Sequence, residues 1–192
     1  MLILTLSSGI SGTYSAIATM FENNPKVKVI DTLTAVGGVR ILVEEINKYR
    51  DKPIDFIVEK VKVLIPKIKI LAIPETLDYL FKGGRLSKKE WVLGKMFNIK
   101  PVISFKDGKV VVDAKKIGIK SAMKYISSYM SEQCDENYSI VPSYTYNKEN
   151  VEKLIEMTDV KFLPQMAIYD NLDPVIACHW GPNAFGYLFV EK

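Results

Sequence analysis

The chain has 192 residues, 48% apolar and 25% charged, with a net charge of +4. This mix suits one globular domain or two small ones, and it excludes a disordered chain, a collagen and a coiled-coil rod. No run approaches the roughly 18 apolar residues of a membrane span, so no stable membrane insertion is expected. The opening MLILTLSSG has no basic n-region and too short an apolar run for a signal peptide. Cys134 and Cys178 are too few for a disulfide framework and lack metal-ligand spacing, so no metal site is expected. The compartment read from this is a reducing cytoplasm. The positive charge suits an anionic ligand or partner but is too diffuse to indicate nucleic acid.

In chain order, Leu2–Leu6 is continuously apolar apart from Thr5, as in a strand buried on both faces. A Ser/Gly turn over Ser7–Thr13 follows. Tyr14, Ile17, Ala18 and Phe21 then recur at helical spacing until Asn23-Asn24-Pro25. Val27–Ile30 reads as a second buried strand. Thr34–Tyr49 reads as a helix, and Ile54–Ile65 as another, stopped at Pro66. This β-α-β-α-α order implies a parallel α/β layer, and two strands are too few to hold one alone, so further strands are expected before it. After Pro66 the pattern changes. Ile68–Ile73 reads as a strand, Pro74–Lys82 and Lys88–Asn98 as short helices. Ile99–Phe105 and Lys109–Lys115 flank Asp107-Gly108, a hairpin signal. Gly118–Cys134 reads as a helix, Tyr138–Tyr144 as a strand, Lys148–Met157 as a helix and Val160–Tyr169 as a strand. Asp173-Pro174 reads as N-cap and first residue of a short helix, and Ala184–Val190 as a closing strand. The expected fold is α/β: a partial parallel-sheet N-terminal domain over 1–68 and an α+β C-terminal domain over 69–192.

Three segments can carry chemistry. Ser7-Ser8-Gly9-Ile10-Ser11-Gly12-Thr13 joins a buried strand to a helix N-terminus. Free amides, the helix dipole and serine hydroxyls there suit a carboxylate or phosphate; equally, Ser11 or Thr13 serves only as a helix cap. It is neither a P-loop nor GxGxxG nor a GxSxG elbow. In Lys82-Gly83-Gly84-Arg85, glycine is an ordinary helix ending, and the Arg85 guanidinium is suited to orienting an acid. Cys178-His179-Trp180 holds the single histidine, which reads as a packed residue or as a polar member of a site.

Together and in this order these segments resemble the DegV family of bacterial fatty-acid-binding proteins. The resemblance rests on LSSGISGTYSA (Leu6–Ala16), IDT (Ile30–Thr32) with Gly37-Gly38, ETLDYLFKGGRLS (Glu75–Ser87), IKPVISFKDGKV (Ile99–Val110) and HWGPNAFG (His179–Gly186). It implies a two-domain α/β protein that buries one long-chain fatty acid, such as palmitate, stearate or oleate, between its domains. It also implies an ATP-dependent fatty acid kinase subunit as partner, which phosphorylates the bound carboxylate to an acyl-phosphate for phospholipid synthesis. The chain itself is then a carrier with no catalytic residue and no cofactor. Carried over, Ser8 hydrogen-bonds the carboxylate with the amides of Gly9 and Ile10, while Arg85 and His179 lie near the head group and the kinase-facing surface. Leu77, Leu80, Phe81, Leu93, Met96 and Phe97 are candidates for the acyl tunnel, in which burial contributes about 0.8 kcal/mol per methylene.

The resemblance also implies an N-terminal stretch with a TDS-like segment and a TSQPS-like loop, and neither is in this sequence. Ile117 stands where the family usually has an Arg, and Asn183 where it has a small residue. Two readings compete with the carrier. One is a serine acyl hydrolase acting on a lipid ester, with Ser8 or Ser11, His179, and Asp31 or Asp170. The other is a degenerate, non-binding remnant.

Overall fold

The computed structural model describes residues 1–93, 98–167 and 170–192. The chain begins with strand β1 (Leu2–Thr5), helix α1 (Thr13–Phe21) and strand β2 (Lys28–Asp31). β1 and β2 pair in parallel, Leu2 beside Lys28 and Thr5 beside Asp31, as a sheet of two strands. The expected inner face of α1 is only half-buried: Tyr14, Ile17, Ala18 and Phe21 all keep some exposure, because two strands cannot cover a helix.

Helices α2 (Gly37–Lys48) and α3 (Ile54–Leu64) follow, then strand β3 (Ile68–Ile73), helices α4 (Asp78–Lys82) and α5 (Lys88–Leu93), and strands β4 (Ile99–Lys106) and β5 (Lys109–Ile117). Helix α6 (Ile119–Gln133), strand β6 (Val141–Tyr144), helix α7 (Glu149–Glu156), strand β7 (Asp170–Asn171), helix α8 (Pro174–Trp180) and strand β8 (Phe185–Val190) complete the chain. A second sheet has the order β5-β4-β3-β8-β6-β7, antiparallel except for β6 and β7. This α/β arrangement, a small parallel sheet beside a larger, mostly antiparallel one, is the fold class expected from the sequence.

β8 explains how the layers meet. Its side chains alternate between two apolar clusters. Phe185, Tyr187 and Phe189 pack with Ala122, Met123, Ile126 and Met130 of α6 and Val151 and Leu154 of α7. Leu188 and Val190 pack with Ile41 and Leu42 of α2, Val58 and Val61 of α3, and Trp180 of α8. The expected boundary at residue 68 therefore falls between helices that pack on the large sheet and the sheet itself, and the two sides share this second cluster.

One expected element is different. Val160–Tyr169 reads as a strand, but Val160–Gln165 forms 3-10 turns. Asp159 caps them by accepting from the Lys161 amide at 3.1 Å, and Pro164, lacking an amide hydrogen, cannot donate in a strand ladder. Ile168 and Tyr169 lie outside the described residues, as does the end of the helix expected over Lys88–Asn98.

The β4–β5 hairpin turns at Asp107 and Gly108, both at positive φ (49° and 74°), the backbone that Asp-Gly favours. Its tip rests on the Ser/Gly loop. The Ser7 hydroxyl, fully buried, donates to the Gly108 carbonyl at 2.6 Å and accepts from the Gly9 amide at 3.1 Å. A side chain on Gly9 would overlap the Gly108 carbonyl. Replacing Ser7→Ala leaves that buried carbonyl unpaired, so the variant is expected to lose about 1–3 kcal/mol of stability. Urea unfolding midpoints measure the loss; an unchanged midpoint would remove Ser7 from this role.

Candidate functional site

The Ser/Gly loop is folded by Ser7. Its amide donates to the Thr34 carbonyl at 2.9 Å, and its own carbonyl accepts from the amides of Ile10 and Ser11, each at 3.1 Å. Thr5 and Ser7 both point inward, as two-residue periodicity requires, so Ser8 points out. Ser8 is exposed. Its amide donates to the Asp31 carboxylate at 3.0 Å, and that oxygen also accepts from the Leu33 amide at 3.1 Å. No described residue hydrogen-bonds the Ser8 hydroxyl.

The expected site residues divide. Ile10, Arg85 and His179 line one cavity of about 80 Å³, with Leu6, Leu80, Phe105, Ile176 and Trp180 among its apolar walls. Ser8 and Gly9 belong to the loop beside this cavity but are not in its lining. The amides expected to face a carboxylate are turned inward: Gly9 donates to the Ser7 hydroxyl and Ile10 to the Ser7 carbonyl. Among the tunnel candidates, Leu80 lines the cavity, Leu77 is core, and Phe81 stacks on Trp91 at 4.4 Å. Met96, Phe97 and the side chain of Leu93 lie outside the described residues.

Arg85 is held by carbonyls. Its Nε donates to Ile10 at 2.9 Å and one Nη donates to Gly83 at 2.5 Å. The second Nη has no partner among the described residues. His179, on α8, lies against Gly83, where a side chain would strike the imidazole Nδ1. That nitrogen is buried without a hydrogen-bond partner among the described residues. Burial first, and the neighbouring Arg85 charge second, hold the imidazole below its ordinary value of 6.5. The cavity mouth thus carries a cation with free donors and a neutral imidazole above an apolar interior. That combination suits an amphipathic anion.

Among the described residues the catalytic arrangement of a serine hydrolase is not assembled. No serine hydroxyl or carboxylate among the described residues hydrogen-bonds His179, and one Asp31 oxygen already takes two backbone amides. The side chain of Asp170 lies outside the described residues.

Residues that sequence reasoning missed come from α8 and the hairpin. Trp180 and Ile176 form the α8 wall, and Phe105 and Val110 flank the Asp-Gly turn. The signal for the latter pair was in the hairpin motif itself. Ser7 carried no such signal, because the strand before it reads as buried on both faces.

The family model for DegV, described as an uncharacterised protein family, matches residues 1–192. The chain belongs to the DegV family. A DegV domain-containing protein of Streptococcus pyogenes is 31% identical over 208 residues, covering 100% of this chain and 70% of that protein. The structure of a fatty acid binding DegV family protein from Streptococcus agalactiae superposes with a TM-score of 0.86 at 28% identity, over 100% of this chain and 71% of the other. One from Thermus thermophilus, described by its fatty acid binding, superposes at 0.83 with 26% identity, over 100% and 70%. Among the described residues of this DegV chain, no helix is long and apolar enough to cross a membrane.

The lowered His179 value fixes a pH dependence. The unfolded chain takes up the proton at a higher pH than the folded one, so the stabilisation is present above the unfolded value and lost as pH falls through it. Between about pH 7.5 and pH 5.5 the ligand-free protein is expected to lose stability, and His179→Gln to flatten that slope. Urea midpoints at both pH values for both proteins check this. Identical slopes would overturn it.

Proposed function

We propose that this chain binds one long-chain fatty acid, with the carboxylate at the Arg85–His179 mouth and the acyl chain in the apolar interior. The observation that carries this reading is the convergence of Arg85, His179 and the Ser/Gly loop on one apolar-walled cavity. The relatives from Streptococcus agalactiae and Thermus thermophilus, both described as binding fatty acids, support it. The unpartnered Arg85 Nη supplies charge-assisted donors to a carboxylate. The exposed Ser8 hydroxyl adds a further donor when the acid lies along the loop. Gly9 and Ile10 shape that loop, and the Ile10 carbonyl holds Arg85 in place. At about 80 Å³ the cavity is smaller than the roughly 300–1,000 Å³ of an ordinary ligand site, so the walls part when the acid enters.

The carrier then presents the carboxylate to a separate ATP-dependent kinase subunit. The carboxylate oxygen attacks the γ-phosphoryl group, releasing ADP and leaving an acyl-phosphate. The loop bearing Ser8 is open to solvent, which suits such an approach. Two free thiols, one of them exposed, suit work in the reducing cytoplasm.

Native mass spectrometry of the purified chain, followed by lipid extraction, tests the binding. One added mass that extracts as a long-chain acid is the expected result; an empty protein that takes up no added acid overturns the reading. Arg85→Ala and Ser8→Ala are each expected to weaken binding by about 1–3 kcal/mol, the range for hydrogen bonds to a charged group. Titration calorimetry of the variants checks this, and unaltered affinity in both would move the carboxylate elsewhere. Addition of the kinase subunit with ATP and a bound acid is expected to release ADP.

A further inference from the structure

A second cavity lies on the same side of the large sheet. It is small, about 10 Å³, and Val36, Ile70, Ala72, Leu172 and Trp180 are among its walls. Trp180 also lines the first cavity, so one indole contributes to both. The floor is a row of small residues in register across three strands: Ser143 on β6 beside Gly186 on β8, and Gly186 beside Ala72 on β3. At the centre of the row even a Cβ on Gly186 would strike the Leu71 carbonyl and Ala72.

One member of the row is out of place in an apolar wall. Ser143 is only 5% exposed, and its hydroxyl is buried with no hydrogen-bond partner among the described residues. A hydroxyl left so carries a desolvation penalty that a partner would remove. Water is a poor candidate. The cavity is at the lower edge of the about 10–15 Å³ a water needs, and a buried water wants two to four polar partners. Of the other side chains in the lining that carry a polar atom, Tyr187 has its hydroxyl 3.0 Å from that of Thr158, within the opposite cluster, and Trp180 carries its indole N–H.

We propose that Ser143 is a specificity residue for acyl chains bearing an oxygen along their length, such as hydroxy fatty acids. The chain passes Trp180 into the second cavity, whose walls must part for it as those of the first do, and its hydroxyl exchanges a hydrogen bond with Ser143. This rests on the fatty-acid reading above and adds the class of acid to it.

The delipidated chain is titrated with stearic acid and with stearic acids bearing one hydroxyl at mid-chain or at the terminal carbon. One of the hydroxylated acids is expected to bind about fivefold more tightly than stearic acid, the gain from one new hydrogen bond. In Ser143→Ala, shown folded by its thermal melt, that preference is expected to vanish. Equal affinity for the plain and hydroxylated acids in the unaltered protein overturns the proposal and leaves fatty acid binding standing. A preference that survives Ser143→Ala overturns it as well. If no acid binds at all, the fatty-acid reading itself fails and takes this one with it.

Discussion

The hydroxyl of Ser7 sits between two backbones that would otherwise be held apart by nothing directional. It donates to the hairpin tip at Gly108 and accepts from Gly9 in its own loop. The contact is possible because both glycines leave the approach open. Everything at the cavity mouth follows from that clamp. With Ser7 turned in, its neighbour Ser8 must face solvent. With the Ser7 carbonyl taking the Ile10 amide, the Ile10 carbonyl is left to receive Arg85. The residue that shapes the loop and the residue left exposed to solvent are adjacent serines.

The electrostatics of the mouth depend on what is missing around it as much as on what is there. Arg85 is anchored by carbonyls rather than by a carboxylate, so its charge is oriented but not neutralised. His179 is pressed against Gly83 and held near a like charge, which favours the neutral ring. On the proposed reading an arriving anion meets a positive field without first displacing a built-in counter-ion, and the low-polarity walls behind it strengthen that attraction.

Much of this was readable in the chain. The Asp107-Gly108 turn, the Asp173-Pro174 helix start and the β3 strand follow from local chemistry, and each occurs where the residues say. Asp173 caps its helix by accepting from the amides of Val175 and Ile176. Local chemistry fails where tertiary placement decides. Val160–Gln165 has strand-like composition, but the Asp159 cap and Pro164 prevail. For the site, Arg85, His179 and Ile10 were legible as separate signals, whereas their meeting depends on α8 packing beside α4. The inward turn of the Gly9 and Ile10 amides was not legible, because it depends on which of two neighbouring serines faces the hairpin. Trp180 looked like a companion of His179 and proves to be a wall of two cavities.

The place of β8 has a consequence for how the molecule is made. This strand lies between β3 and β6, and it is synthesised after both. Until it emerges from the ribosome, the two halves of the large sheet have no strand to join them, and β3 and β6 each present an unpaired edge. The apolar faces of α2, α3 and α6 wait on the same event, since the clusters they enter both include residues of β8. Pairing β3 with β8 closes a loop of more than a hundred residues, a slow and entropically costly step. Between the synthesis of β3 and that of β8 the nascent chain is therefore exposed to edge-to-edge association, and this six-residue strand acts as the closing stave that commits the sheet to its native order.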